Sequence, residues 1–161
     1  MTIKICIDPG FCSGAIAVLY DHQPMQVIKM PPTPKDILTF CKEIIPSALI
    51  GDNPFEQVIA YVEDVGGTRV GNSAKSARTF AVHMGHLEMA LLAAGIDCIK
   101  VTPTKWMSKV CPGRPKGAGS AQVAARKTYI YRKMQERYAS VKFPKYAADA
   151  VGIANYVEDY L

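Results

Sequence analysis

The chain has no apolar run near the roughly 18 residues that a membrane-crossing helix needs. Its hydrophobic residues, 49% of 161, fall in short segments instead. Its five cysteines, Cys6, Cys12, Cys41, Cys98 and Cys111, include no CxxC pair, and no Cys/His cluster has zinc spacing. An odd number of scattered thiols, most in apolar surroundings, argues against a disulfide framework and for buried, reduced cysteines in a cytoplasmic location. Internal repeats, low-complexity tracts and a signal-peptide layout are also missing. Membrane-spanning, disulfide-rich and solenoid classes drop out. Length and composition suit one domain over 1–161, long enough to bury a substantial core.

Acidic residues are nearly absent from one long stretch. From Val101 to Lys145 eleven Lys and Arg face a single acid, Glu136, so this segment carries +10. The chain as a whole carries +5, which leaves −5 for the remainder. A basic half beside an acidic half suits a polyanionic substrate. A solvated helical face is the plainer explanation. Trp106, Tyr129, Tyr131 and Tyr138 lie within the stretch and favour nucleic acid.

The apolar patterning predicts three strands, a helix, a strand, a helix, a strand and then helices. Strands are expected at Ile3–Ile7, Gly14–Tyr20, Met25–Met30, Val58–Glu63 and Asp97–Val101. Pro9 and Gly10 stop the first and turn the chain. Thr33 caps a helix with Pro34 in its first turn, and Ile37, Phe40, Cys41, Ile44 and Ile45 repeat at helical spacing. Gly51–Pro54 ends that helix. Asn72 or Ser73 caps a long helix that ends at Gly95. Thr102-Pro103 opens a short helix, Cys111–Ser120 forms a Gly/Pro-rich loop, and a basic helix runs over 121–138. Pro144 precedes a final helix, Tyr146–Tyr160. The first three strands should form an antiparallel meander. The fourth and fifth should join beside the first through right-handed crossovers.

This arrangement gathers three acids. Asp8 ends the first strand, Glu63 ends the fourth, and Asp149 opens the last helix. Each has an ordinary explanation: a turn cap, an exposed strand-end charge and a residue favoured by the helix dipole. Together at one sheet edge they point to a divalent cation, because carboxylates beside a core are costly without a partner. Mg2+ prefers carboxylate oxygens and then contacts phosphates.

Ile7-Asp8-Pro9-Gly10 with Ser13-Gly14-Ala15-Ile16-Ala17-Val18, then Val62-Glu63, then Thr102-Pro103-Thr104-Lys105-Trp106, then Ala147-Ala148-Asp149-Ala150 with Ile153-Ala154 extend over nearly the whole chain. In these residues the chain resembles the RuvC-type Holliday junction resolvases of the ribonuclease H-like superfamily, particularly the small phage versions. The resemblance implies an α/β ribonuclease H-like fold with a five-stranded mixed sheet. It also implies a homodimer that cuts branched DNA, above all four-way junctions, with Mg2+ or Mn2+. Asp8, Glu63 and Asp149 match the catalytic carboxylates. Asp8 would bridge two ions roughly 3.5–4 Å apart. The location implied is cytoplasmic, the host cytoplasm for a phage-encoded protein.

Two positions depart from the family. The fourth metal ligand, an Asp or His three residues before the last catalytic Asp, is replaced by Tyr146, preceded by Lys145. Tyr146 therefore marks a second metal site that is either weak, completed by substrate phosphate, or supplied by another acid such as Asp64. Strand alternation would point Asp64 away from Glu63. The aromatic expected three residues after the strand-four Glu is Gly66.

Arg69, Lys75, Arg78, Lys105, Lys109, Arg114, Lys116 and Lys145 are the candidate phosphate contacts, with a solvated surface as the alternative for Lys75 and Arg78. Trp106 either stacks on a base or docks on the core. His83 and His86 read as structural before DNA-facing, and the Met84/Leu87/Leu91 stripe as core or dimer surface. The functional expectation is a structure-selective endodeoxyribonuclease. Two rivals stand beside it: a broader nuclease of flaps, forks and replication intermediates, and a weakened member that binds branched DNA without cutting. An actin-like ATPase shares the opening strand pattern but needs a second phosphate-binding Gly motif and a longer chain.

Overall fold

The first strand, β1 (Thr2–Asp8), alternates between two different cores, which is why it is apolar on both sides. The computed structural model describes residues 2–21, 23, 25–49, 57–66, 73–117 and 119–161, with the backbone alone for 46–49. β1 pairs antiparallel with β2 (Ala15–Leu19), and β2 with β3 (Gln26–Lys29). On its other side β1 pairs parallel with β4 (Gln57–Glu63), and β4 with β5 (Asp97–Val101). The sheet order is β3-β2-β1-β4-β5, a meander extended by two parallel strands, as expected.

Side-chain period two divides this sheet into two faces. Ile3, Ile5 and Ile7 of β1, with Ala60 and Val62 of β4, pack under α1 (Pro34–Leu49) and α2 (Ala74–Ala93). Cys6 and Tyr61 lie in the opposite core, with α3 (Pro103–Val110), α4 (Ser120–Arg137) and α5 (Ala148–Tyr160). Asp8 and Glu63 follow Cys6 and Tyr61 by two residues. Both therefore belong to the α5 face, at adjacent strand ends fixed by the Ile7–Val62 pairing.

The caps follow the sequence closely. Thr33 Oγ1 accepts from Asp36 N at 3.2 Å, Ser73 caps α2, and Thr102 caps α3 with Pro103 at its first position. Gly95 has φ +69, the left-handed backbone that ends α2. The final helix differs from expectation at its start. Lys145–Ala147 form a 3₁₀ turn with no side-chain cap, and α-helix begins only at Ala148. The expected helix break at Gly51–Pro54 lies outside the described residues. Leu87 and Leu91 are core, so that stripe does not form a dimer surface. Cys6, Cys41 and Cys111 are buried free thiols, while Cys12 and Cys98 are exposed. Burial pushes the Cys41 and Cys111 thiols up to about 11, away from nucleophilic use. Among the described residues no helix is long and apolar enough to cross a membrane.

Candidate active site

Asp8, Glu63 and Asp149 line one cavity of about 720 Å³ at the carboxyl ends of β1 and β4. Asp8 reaches it from the strand end, Glu63 from the neighbouring strand end, and Asp149 from the first turn of α5. Glu63 is only 4% exposed, an unusual setting for a carboxylate. Its Oε1 accepts a hydrogen bond at 2.8 Å from the indole Nε1 of Trp106 on α3. Trp106 is itself completely buried, so it is core-docked and does not present a face to a base.

Asp64 lines the same cavity. This corrects the alternation argument: β4 ends at Glu63, and beyond it the strand period no longer governs direction. The Asp64 N–H donates to Val101 O at 2.9 Å, and its Oδ1 accepts from Gly66 N at 3.2 Å. Gly66 has φ +66, a conformation that favours glycine over the aromatic expected at this position. Tyr146 is 41% exposed on the 3₁₀ turn and does not line the cavity.

The cationic rim also differs from the sequence list. Lys100 on β5 and Arg126 and Lys127 on α4 line the cavity. Lys75, Arg78, Lys105, Lys109, Arg114, Lys116 and Lys145 do not, and Arg69 lies outside the described residues. Several of these have other partners. Arg114 Nη1 donates to Met107 O and Cys111 O at 3.0 and 3.2 Å, closing the end of α3. Lys109 Nζ sits 5.8 Å from the Tyr160 ring centre, and Lys145 Nζ donates to Thr128 Oγ1 at 2.7 Å. The signal for the missed cations was helical spacing. Val123, Arg126, Lys127 and Ile130 recur at i, i+3, i+4 and i+7, and all four line the cavity. Lys100 pairs with Glu88, another lining residue.

Arg78 instead lines a smaller cavity of about 270 Å³ with Phe11, His83 and His86. Phe11 meets His83 edge to face, with centroids 5.7 Å apart. Burial, with a lesser effect of His86, lowers the His83 pKa.

The donor set of the larger cavity fits a hard cation, since Asp8, Glu63, Asp64 and Asp149 offer only carboxylate oxygens. Among the described residues no three His, Cys, Asp or Glu are grouped so that they hold a metal as they stand.

No family model and no curated protein matches the sequence. Solved structures do match. Thermus thermophilus RuvC in complex with a Holliday junction substrate aligns with a TM-score of 0.58 at 16% identity, over 98% of this chain and 96% of that one. A second Thermus thermophilus RuvC structure aligns with a TM-score of 0.52 at 18% identity, over 97% and 95%. The fold is therefore the ribonuclease H-like fold of RuvC, a five-stranded mixed sheet flanked by helices.

Proposed function

We propose that the chain is a metal-dependent, structure-selective endodeoxyribonuclease acting on Holliday junctions or related branched DNA. The observation that carries this reading is the convergence of Asp8, Glu63 and Asp149 in one cavity bordered by Arg126 and Lys127. The RuvC-like fold supports the substrate class, since one neighbour was solved with a Holliday junction substrate. Asp8, Glu63 and Asp149 would hold Mg2+ or Mn2+, two ions by the resemblance, with substrate phosphate adding further oxygens. A bound divalent ion supplies acidity to a water and charge neutralisation at the leaving oxygen.

The protein's own residues do the rest. Arg126 and Lys127 place the scissile phosphate against the acids, and Met107, Val123 and Ile130 give that end of the cavity an apolar wall. A symmetric homodimer would present two such cavities to two strands. The exposed row Val82, Met89 and Leu92 on α2 is an apolar surface available for it. Incubating a labelled four-way junction, a flap and a linear duplex with Mg2+ or Mn2+ tests the reading. Paired cuts confined to the junction support it, and uncut DNA of every form with either ion rejects it. Tyr146, in place of the acidic or histidine ligand expected there, supports one second reading, a protein that binds branched DNA without cutting. Tight junction binding without cleavage would be its signature.

Phosphate neutralisation predicts a salt effect. Each phosphate neutralised contributes roughly 0.9 to the slope of log affinity against log salt. Arg126→Ala with Lys127→Ala should flatten that slope by nearly two, read by a binding titration across salt concentrations. An unchanged slope would place the DNA elsewhere.

The fourth acid gives a second expectation. Asp64 lines the cavity and Tyr146 does not. Asp64→Asn should raise the Mn2+ concentration needed for half-maximal cleavage by about tenfold, the size of effect that supporting groups have at metal sites. Tyr146→Asp should leave it unchanged. A lower metal requirement in Tyr146→Asp would return the fourth-ligand role to position 146.

A further inference from the structure

We propose that Trp106 is a positioning residue that fixes the Glu63 carboxylate and ties it to the helix carrying Asp149. The inference rests on the nuclease reading above only for its effect on cleavage. Its structural basis is independent of that reading. The indole Nε1 donates to Glu63 Oε1 at 2.8 Å, with Trp106 fully buried and Glu63 4% exposed. A donor held in the core leaves one carboxylate oxygen committed and constrains the direction of the other. Without it, a glutamate with several rotatable bonds at a strand end would lose that constraint.

The far edge of the same indole touches α5. A Cβ built on Gly152 would lie 2.5 Å from the Trp106 Cζ3 and 3.0 Å from its Cη2. Only a residue without a side chain lets the ring lie so close to this helix. Gly152 follows Asp149 by one helical turn, so both lie on one face of α5. One rigid ring thus spans from the carboxylate at the end of β4 to the helix that presents Asp149. A phenylalanine would fill much of the space but has no N–H.

The chain contains a single tryptophan, so its own fluorescence reports on Glu63. Mn2+ is the probe, added to the full-length protein without DNA. Wild-type emission should be quenched saturably, with the same midpoint as calorimetric Mn2+ binding, and Glu63→Gln should remove the saturable component. Trp106→Phe should bind Mn2+ about tenfold more weakly by calorimetry. In cleavage it should lower kcat with KM for the junction unchanged, a split that general loosening of the fold would not give. Wild-type Mn2+ affinity and kcat in a folded Trp106→Phe would overturn the proposal. If that variant does not fold, the wild-type fluorescence decides, since calorimetric binding without quenching also overturns it. If no DNA is cut by the wild type, the nuclease reading fails, while the Mn2+ affinity and quenching still test Trp106.

Discussion

Asp8→Asn should lose cleavage by at least about a thousandfold, the equivalent of roughly 4 kcal/mol of transition-state stabilisation. Glu63→Gln and Asp149→Asn should behave alike. The substitutions are near-isosteric, so the fold and the cation-bordered surface remain and junction binding should persist. Stability offers a second readout. Asp8, Glu63, Asp64 and Asp149 border one cavity, and like charges there oppose one another when no cation is bound. Neutralising one should leave the metal-free melting temperature unchanged or higher, as at many functional sites where activity is held against stability. Wild type should gain thermal stability on adding Mn2+ through mass action, and Asp8→Asn should gain less. Cleavage assays on a labelled junction and melts with and without Mn2+ check both halves. A variant that cuts at the wild-type rate removes that residue from the site.

The acids were legible in the sequence because they depend on topology alone. Apolar runs set the strands, the turn at Pro9-Gly10 made the first pair antiparallel, and period two then placed Asp8 and Glu63 on one face. Capping residues were equally local, so Thr33, Ser73 and Thr102 could be placed from chemistry. The cations were not legible in the same way. The +10 segment named a region, but which side chains reach the cavity depends on how α4 is rotated about its axis. Counting charges selected Arg114 and Lys145, whose groups bond to nearby backbone and side-chain oxygens. Alternation does not predict the direction of Asp64, because the strand ends one residue before it. The Trp106–Glu63 bond joins residues 43 apart in sequence, and no local pattern announces such a contact. Tyr146 stands three residues before Asp149 in sequence, yet the 3₁₀ turn leaves it exposed outside the cavity.

Gly14→Ala should be among the most destabilising single changes in the chain, although it adds one methyl group. A Cβ at Gly14 would lie 2.3 Å from Gly10 O, 2.4 Å from Gly10 N and 2.6 Å from Asp8 O. All three are backbone atoms, so no side-chain rotation relieves the clash. The turn is drawn that tight by its own hydrogen bonds: Gly10 N–H donates to Asp8 O at 3.0 Å, and Gly14 N–H to Gly10 O at 2.8 Å. Relief requires moving the backbone that ends β1, and Asp8 moves with it. Overpacking of this kind costs about 3 kcal/mol or more. For a chain of this size that corresponds to a fall in melting temperature of roughly 10 °C. Gly85→Ala is the matched control. Gly85 is exposed within α2, and a Cβ there meets nothing within 4 Å. The same substitution should there stabilise by about 0.8–1 kcal/mol through helix propensity. Opposite signs from one chemical change would separate close backbone approach from any general property of glycine. Where Gly14→Ala folds at low temperature, its Mn2+ binding should be weakened, because the carboxylate nearest the turn is displaced. A Gly14→Ala protein that melts with the wild type and binds Mn2+ equally well would show that the turn yields without carrying Asp8 along.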